Sequence, residues 1–124
     1  MSRVLIIDDD ADACELFSFV LTQANHDVVF ATDGRTGLDL VHEVQPEVVL
    51  VDIFMPRMDG LLVIQELRRR CPTIKIVAVS AGMMISVGTS LLDLAPGAGA
   101  DVVLRKPLEP HVLQETIARL VAGG

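Results

Sequence analysis

No apolar run in this 124-residue chain approaches the roughly 18 residues needed to cross a bilayer as a helix. No secretory leader is expected from the opening residues. Met1-Ser2-Arg3 runs straight into Val4-Leu5-Ile6-Ile7 and three aspartates. A signal peptide would show a basic start, a longer apolar stretch and a small-residue cleavage site. Basic residues are scarce, 10 Lys and Arg against 17 Asp and Glu, for a net charge of −7. Direct contact with nucleic acid, or with an anionic membrane surface, is therefore not expected, since either needs a basic face. Cysteine is limited to Cys14 and Cys71, each in a helix-like stretch and read as a buried, reduced thiol. No zinc-ligand spacing exists, nor a glycine-rich phosphate loop ending in Gly-Lys-Ser or Gly-Lys-Thr. A cytoplasmic protein is expected.

Hydrophobic residues make up 51% of the chain and charged residues 22%, which excludes intrinsic disorder and suits one domain with its own core. Five short β-branched runs recur: Val4-Leu5-Ile6-Ile7, Val28-Val29-Phe30, Val48-Val49-Leu50-Val51, Ile76-Val77-Ala78-Val79 and Val102-Val103-Leu104. None alternates, as expected of strands covered on both faces of a parallel sheet. Between them lie stripes of helical period: Ala13, Leu16, Phe17, Val20 and Ala24; Leu38, Val41 and Val44; Leu61, Ile64, Leu67 and Cys71; Leu113, Ile117 and Leu120. Gly34, Pro46, Pro72 and Pro110 punctuate them at helix ends. Strand then helix, repeated five times, is a doubly wound α/β domain with a five-stranded parallel sheet. Residues 81–100 are rich in glycine, with helical character only around Ser90 to Ala95, so the fourth of the five helices is expected to be atypical.

In an open parallel sheet, ligands bind at the carboxyl ends of the strands. The first run ends in Asp8-Asp9-Asp10, the third in Asp52 and the fourth in Ser80; the fifth is followed by Arg105, Lys106 and Pro107. With strand order 2-1-3-4-5, Asp8, Asp9, Asp52, Ser80 and Lys106 converge on one edge. Crowded carboxylates repel. A hard dication such as magnesium, which takes oxygen ligands, resolves the conflict. An aspartate beside it is a nucleophile toward phosphorus, and the Ser80 hydroxyl and Lys106 ammonium suit the oxygens of a phosphoryl group.

These pieces together resemble the receiver domain of two-component response regulators, over essentially the whole chain. They are Val4 through Asp10; Val51-Asp52-Ile53-Phe54-Met55-Pro56 with Met58-Asp59-Gly60; Val79-Ser80-Ala81; and Gly99-Ala100-Asp101 through Arg105-Lys106-Pro107. The resemblance implies a flavodoxin-like fold and a single receiver domain over residues 1–124 with no output domain. It implies Asp52 as phosphoacceptor, taking its phosphoryl group from a sensor histidine kinase or histidine phosphotransfer protein and signalling to a downstream protein by changed binding. Magnesium or manganese would be held by Asp8, Asp9, Asp52 and the Phe54 backbone carbonyl, with Asp8 acting mainly through water. Ser80 and Lys106 would contact the phosphoryl group, and the Lys106–Pro107 bond would be cis. Such a module modifies and unmodifies itself but turns over no separate substrate, as a monomer or weak homodimer.

Two departures stand out. The family's aromatic switch position holds Val103, which is small and stiff. The segment between Ser80 and Lys106 is longer than usual, which suggests that a remodelled, more mobile 81–100 region carries the output change. Phe54, two positions past Asp52, is expected to hinder the hydrolytic water. Asp10 and Asp12 read as helix N-terminal charges, Asp59 as a helix cap, and Arg68-Arg69-Arg70 as the basic end of the third helix. Arg57 and Arg105 read as solvated surface, Met55 as packing, and His26, His42 and His111 as surface or helix-end residues. A magnesium-dependent phosphatase with an aspartyl nucleophile is a rival reading, but it would need a carboxylate where Phe54 stands. A degenerate receiver used as a phosphorylation-independent docking module is another; the complete acidic set opposes it, while Val103 and the long loop are compatible with it.

Overall fold

The computed structural model describes residues 2–53, 60–80, 84–86, 89–90 and 96–123, with the backbone alone at 80, 84–86 and 89–90. In chain order the elements are β1 (Arg3–Ile7), α1 (Ala11–Gln23), β2 (Asp27–Ala31), α2 (Gly34–Val44), β3 (Val48–Asp52), α3 (Gly60–Arg70), β4 (Lys75–Ser80), β5 (Met84–Ser86), β6 (Thr89–Ser90), a helical turn at 96–98 (α4), β7 (Val102–Arg105) and α5 (Pro110–Ala122). The five long strands pair in parallel as β2-β1-β3-β4-β7, which is the expected order 2-1-3-4-5.

Side chains on a strand alternate between faces, so each strand feeds two cores. Leu5, Ile7, Val49, Val51, Ile76 and Ala78 pack with Leu38 and Val41 of α2 and Val63, Ile64 and Leu67 of α3. Val4, Ile6, Val48, Leu50, Val77 and Val79 pack with Cys14, Phe17, Val20 and Leu21 of α1 and Leu113 and Ile117 of α5. Coverage from both sides is why the central runs do not alternate. The edge strands are less covered: Phe30 of β2 is 39% exposed, and Val102 to Leu104 of β7 are partly buried.

Three expectations need correction. In α1 the buried stripe is Cys14, Phe17, Val20 and Leu21, whereas Leu16 is 56% exposed and Ala13 and Ala24 are only partly covered. Residue 16 lies about 100° around the helix from Phe17, off the face that meets the sheet. Cys71 is partly buried and falls just past the end of α3, although both cysteines are free thiols. Ser90, expected in a helix, belongs to β6, which pairs antiparallel with β5; Ile85 and Thr89 are β-branched and suit extended backbone. The rest of that expected helix, 91–95, lies outside the described residues.

Candidate functional site

The site is assembled by strand register. Ile7 pairs with Val51, so Asp8 and Asp52 leave neighbouring strands at the same level of the sheet. Asp8 and Asp52 are 2% and 7% exposed, while Asp9 is open to solvent. One carboxylate oxygen from each of Asp8, Asp9 and Asp52 lies within 4.8 Å of the others. Lys106, directly after β7, reaches across β4 into this group. Its Nζ stands 2.9 Å from Asp8 Oδ2 and 3.6 Å from Asp52 Oδ2.

Asp8 is held on every side. Its Oδ1 accepts the backbone N–H of Asp10 at 3.0 Å, and its own N–H donates to the Ala31 carbonyl at 3.1 Å. Its carbonyl accepts the Cys14 thiol at 3.3 Å. Asp10 in turn caps α1, its Oδ1 accepting from the Asp12 N–H at 3.0 Å, as expected of a carboxylate at a helix N-terminus. Asp52 is placed by its own strand and by the residue after it: the Ile53 N–H donates to the Val79 carbonyl, and the Ile53 carbonyl accepts from Gly60, each at 2.9 Å.

The electrostatics follow from this packing. Burial pulls Lys106 toward its neutral form, but the hydrogen bond to Asp8 and the charges of Asp52 and Asp8 outweigh it, so the ammonium holds its proton above the ordinary lysine pKa. Burial, aided by the Asp8 charge, pushes the Cys14 thiol up to about 12, so it is neutral beneath the site and no nucleophile. Among the described residues, three carboxylates share one ammonium here. An excess of close oxygen donors of this kind fits a hard divalent cation.

Ser80 ends β4 in register with Arg105, with its backbone at the same sheet end; its side chain is outside the described residues. So are Phe54, Met55, Arg57 and Asp59. Lys106–Pro107 is a cis peptide bond. Val103 is partly buried against the α2–α3 side of the core, an aliphatic contact in place of an aromatic lever. Arg105 is exposed. His111 faces Glu109 at 3.4 Å, and no histidine joins a metal-ligating group among the described residues. Sequence reasoning missed the thiol and backbone donors that hold Asp8, because Cys14 and Asp10 show no signal for it in their spacing. It also missed Arg68, which bonds the Gly99, Pro72 and Ile74 carbonyls and the Asp101 carboxylate.

A family model, the response regulator receiver domain, matches residues 4–118. The response regulator MprA of Mycolicibacterium vanbaalenii is 37% identical over 120 residues, covering 97% of this chain and 49% of that protein. The DNA-binding dual master transcriptional regulator RpaA of Synechocystis is 37% identical over 124 residues, covering 98% of this chain and 48% of that protein. The chain thus spans about half the length of the curated relatives it matches. Among solved structures, a CheY-like receiver domain protein of Methanospirillum hungatei shares the fold at a TM-score of 0.88 and 24% identity, over 100% of this chain and 99% of that one. The chemotaxis protein CheY4 of Vibrio cholerae superposes at a TM-score of 0.85 and 25% identity, over 97% and 98%. The chain belongs to the response regulator receiver domains, the signalling modules of two-component systems.

Proposed function

We propose that Asp52 accepts a phosphoryl group from a histidine kinase or histidine phosphotransfer protein, and that residues 1–124 act as one receiver unit whose binding to a downstream protein changes with that modification. The observation that carries this is the meeting of Asp8, Asp9, Asp52 and Lys106 at one sheet edge. Receiver domains generally bind magnesium, and the acidic cluster here fits it. Asp8, Asp9 and Asp52 would hold magnesium or manganese, joined by the Phe54 carbonyl. When bound, the dication offsets carboxylate repulsion and stabilises charge on the transferring group.

The chain's own residues do the rest. A carboxylate oxygen of Asp52 attacks phosphorus, the bond to the donor nitrogen or oxygen breaks, and the donor leaves with the electron pair. The product is an acyl phosphate on Asp52. Lys106, already charged beside Asp52, pairs with a phosphoryl oxygen, and the Ser80 hydroxyl donates to another. Asp8 stays in place through the Asp10 N–H and the Cys14 thiol, so the surrounding charge needs little reorganisation.

Incubation with acetyl phosphate and magnesium, followed by intact mass, tests this. One phosphoryl addition is expected, sensitive to hydroxylamine, absent in Asp52→Ala and absent with chelator. A normal adduct on Asp52→Ala would overturn the assignment.

A further inference from the structure

Gly60 is buried and is the first residue of α3. It sits directly on the end of the strand that carries Asp52. A Cβ at this position would lie far inside van der Waals contact of the Asp52 carbonyl oxygen and the Ile53 Cα, and 2.6 Å from the Ile53 carbonyl oxygen. All three are backbone atoms, which cannot swing aside as a flexible side chain would. The Gly60 N–H also donates to the Ile53 carbonyl at 2.9 Å, so the same residue both touches and ties the strand end.

Given Asp52 as the acceptor, we infer that Gly60 is a positioning residue: its missing side chain lets the start of α3 seat against the Asp52–Ile53 backbone, and that seating sets where the Asp52 carboxylate stands relative to Asp8, Asp9 and Lys106. The tolerance is small. The three carboxylates lie within 4.8 Å, and Lys106 Nζ is 3.6 Å from Asp52 Oδ2. A methyl at residue 60 must part the helix from the strand, and the movement is delivered to Asp52 through its own main chain.

Gly60→Ala tests this beside Gly99→Ala. Gly99 also resists a side chain, with φ +121° and a would-be Cβ 3.1 Å from Arg68 Cβ, but it lies at the opposite end of the sheet. Both variants are expected to have a lower Tm. Phosphorylation by acetyl phosphate at saturating magnesium, read by intact mass well below either Tm, is expected to fall at least about tenfold in Gly60→Ala alone, since small misplacements of reacting groups carry large rate losses. Manganese affinity, read by electron paramagnetic resonance, should weaken in that variant alone. Equal rates in wild type and Gly60→Ala, or losses in both variants that track Tm, would overturn the role of Gly60. A wild-type chain that takes no phosphoryl group would instead overturn the reading of Asp52.

Should Gly60→Ala fail to fold, the unmutated chain still decides. In amide NMR the Gly60 resonance is expected to shift on magnesium addition while that of Gly99 stays still. An unmoved Gly60 amide would sink the inference.

Discussion

Two ionic clusters mark the opposite ends of the sheet, and they are built on opposite plans. At the amino end of β4, the Arg68 guanidinium gives two hydrogen bonds to the Gly99 carbonyl, one each to the Pro72 and Ile74 carbonyls, and one to Asp101 Oδ2 at 2.7 Å. That carboxylate oxygen also accepts the Ile76 N–H at 2.7 Å. One cation meets one carboxylate there, and fixed carbonyls take the remaining donors. At the carboxyl end, Lys106 faces Asp8, Asp9 and Asp52, more negative charge than one ammonium offsets among the described residues. The satisfied cluster fixes how α3, β4 and the approach to β7 sit together. The unbalanced one is where the proposed function would bring a cation and a phosphoryl group from outside.

Substitutions can break or sharpen that contrast. The largest expected stability loss is in Arg68→Met, about 2–4 kcal/mol, because the partly buried Gly99 and Ile74 carbonyls, the Pro72 carbonyl and Asp101 lose their donor together. Urea denaturation followed by circular dichroism reads it, and magnesium should not change the loss. Lys106→Met is expected to cost less, about 1–2 kcal/mol in chelator: Asp8 is nearly fully buried, but the lysine side chain is 26% exposed and its bridges are discounted for solvent. Millimolar magnesium should restore most of that stability, since an ion bound by the folded state alone stabilises it. A loss equal with and without magnesium would show the two clusters to be of one kind.

The smallest effect belongs to a third, exposed cluster on α3, where hydrogen bonds from Arg69 and Arg70 hold the Glu66 carboxyl at about 2. A depressed acid adds stability above its unfolded pKa, roughly 4.3, and that stability fades as pH falls toward the folded value. Glu66→Gln should therefore lower Tm slightly near pH 6, with the gap closing as pH falls to about 2. A gap that widens on acidification would contradict the pairing.

Most of the sheet was readable in advance, because β-branched runs without alternation can be covered only from both sides. The meeting of Asp8, Asp9, Asp52 and Lys106 was readable as well, since all four stand at or just past strand ends, as does the backbone of Ser80. The failures are instructive. Leu16 looked like core because a period fits more than one face of α1, and only the sheet selects the face centred on Phe17. Arg68 looked like an ordinary helix-end cation because its partners, Gly99 and Asp101, lie more than thirty residues away.

The order of elements, the two-sided burial of the central strands and the roster of acidic, hydroxyl and basic side chains were written in local pattern, where residues a few positions apart decide the outcome. Which charges meet was a matter of three-dimensional folding. Lys106 and Asp8 are 98 positions apart, and only the parallel register and the crossovers of the chain bring their charges to 2.9 Å. Coulomb energy depends on that separation and on the burial around it, and neither is a property of any short stretch of sequence.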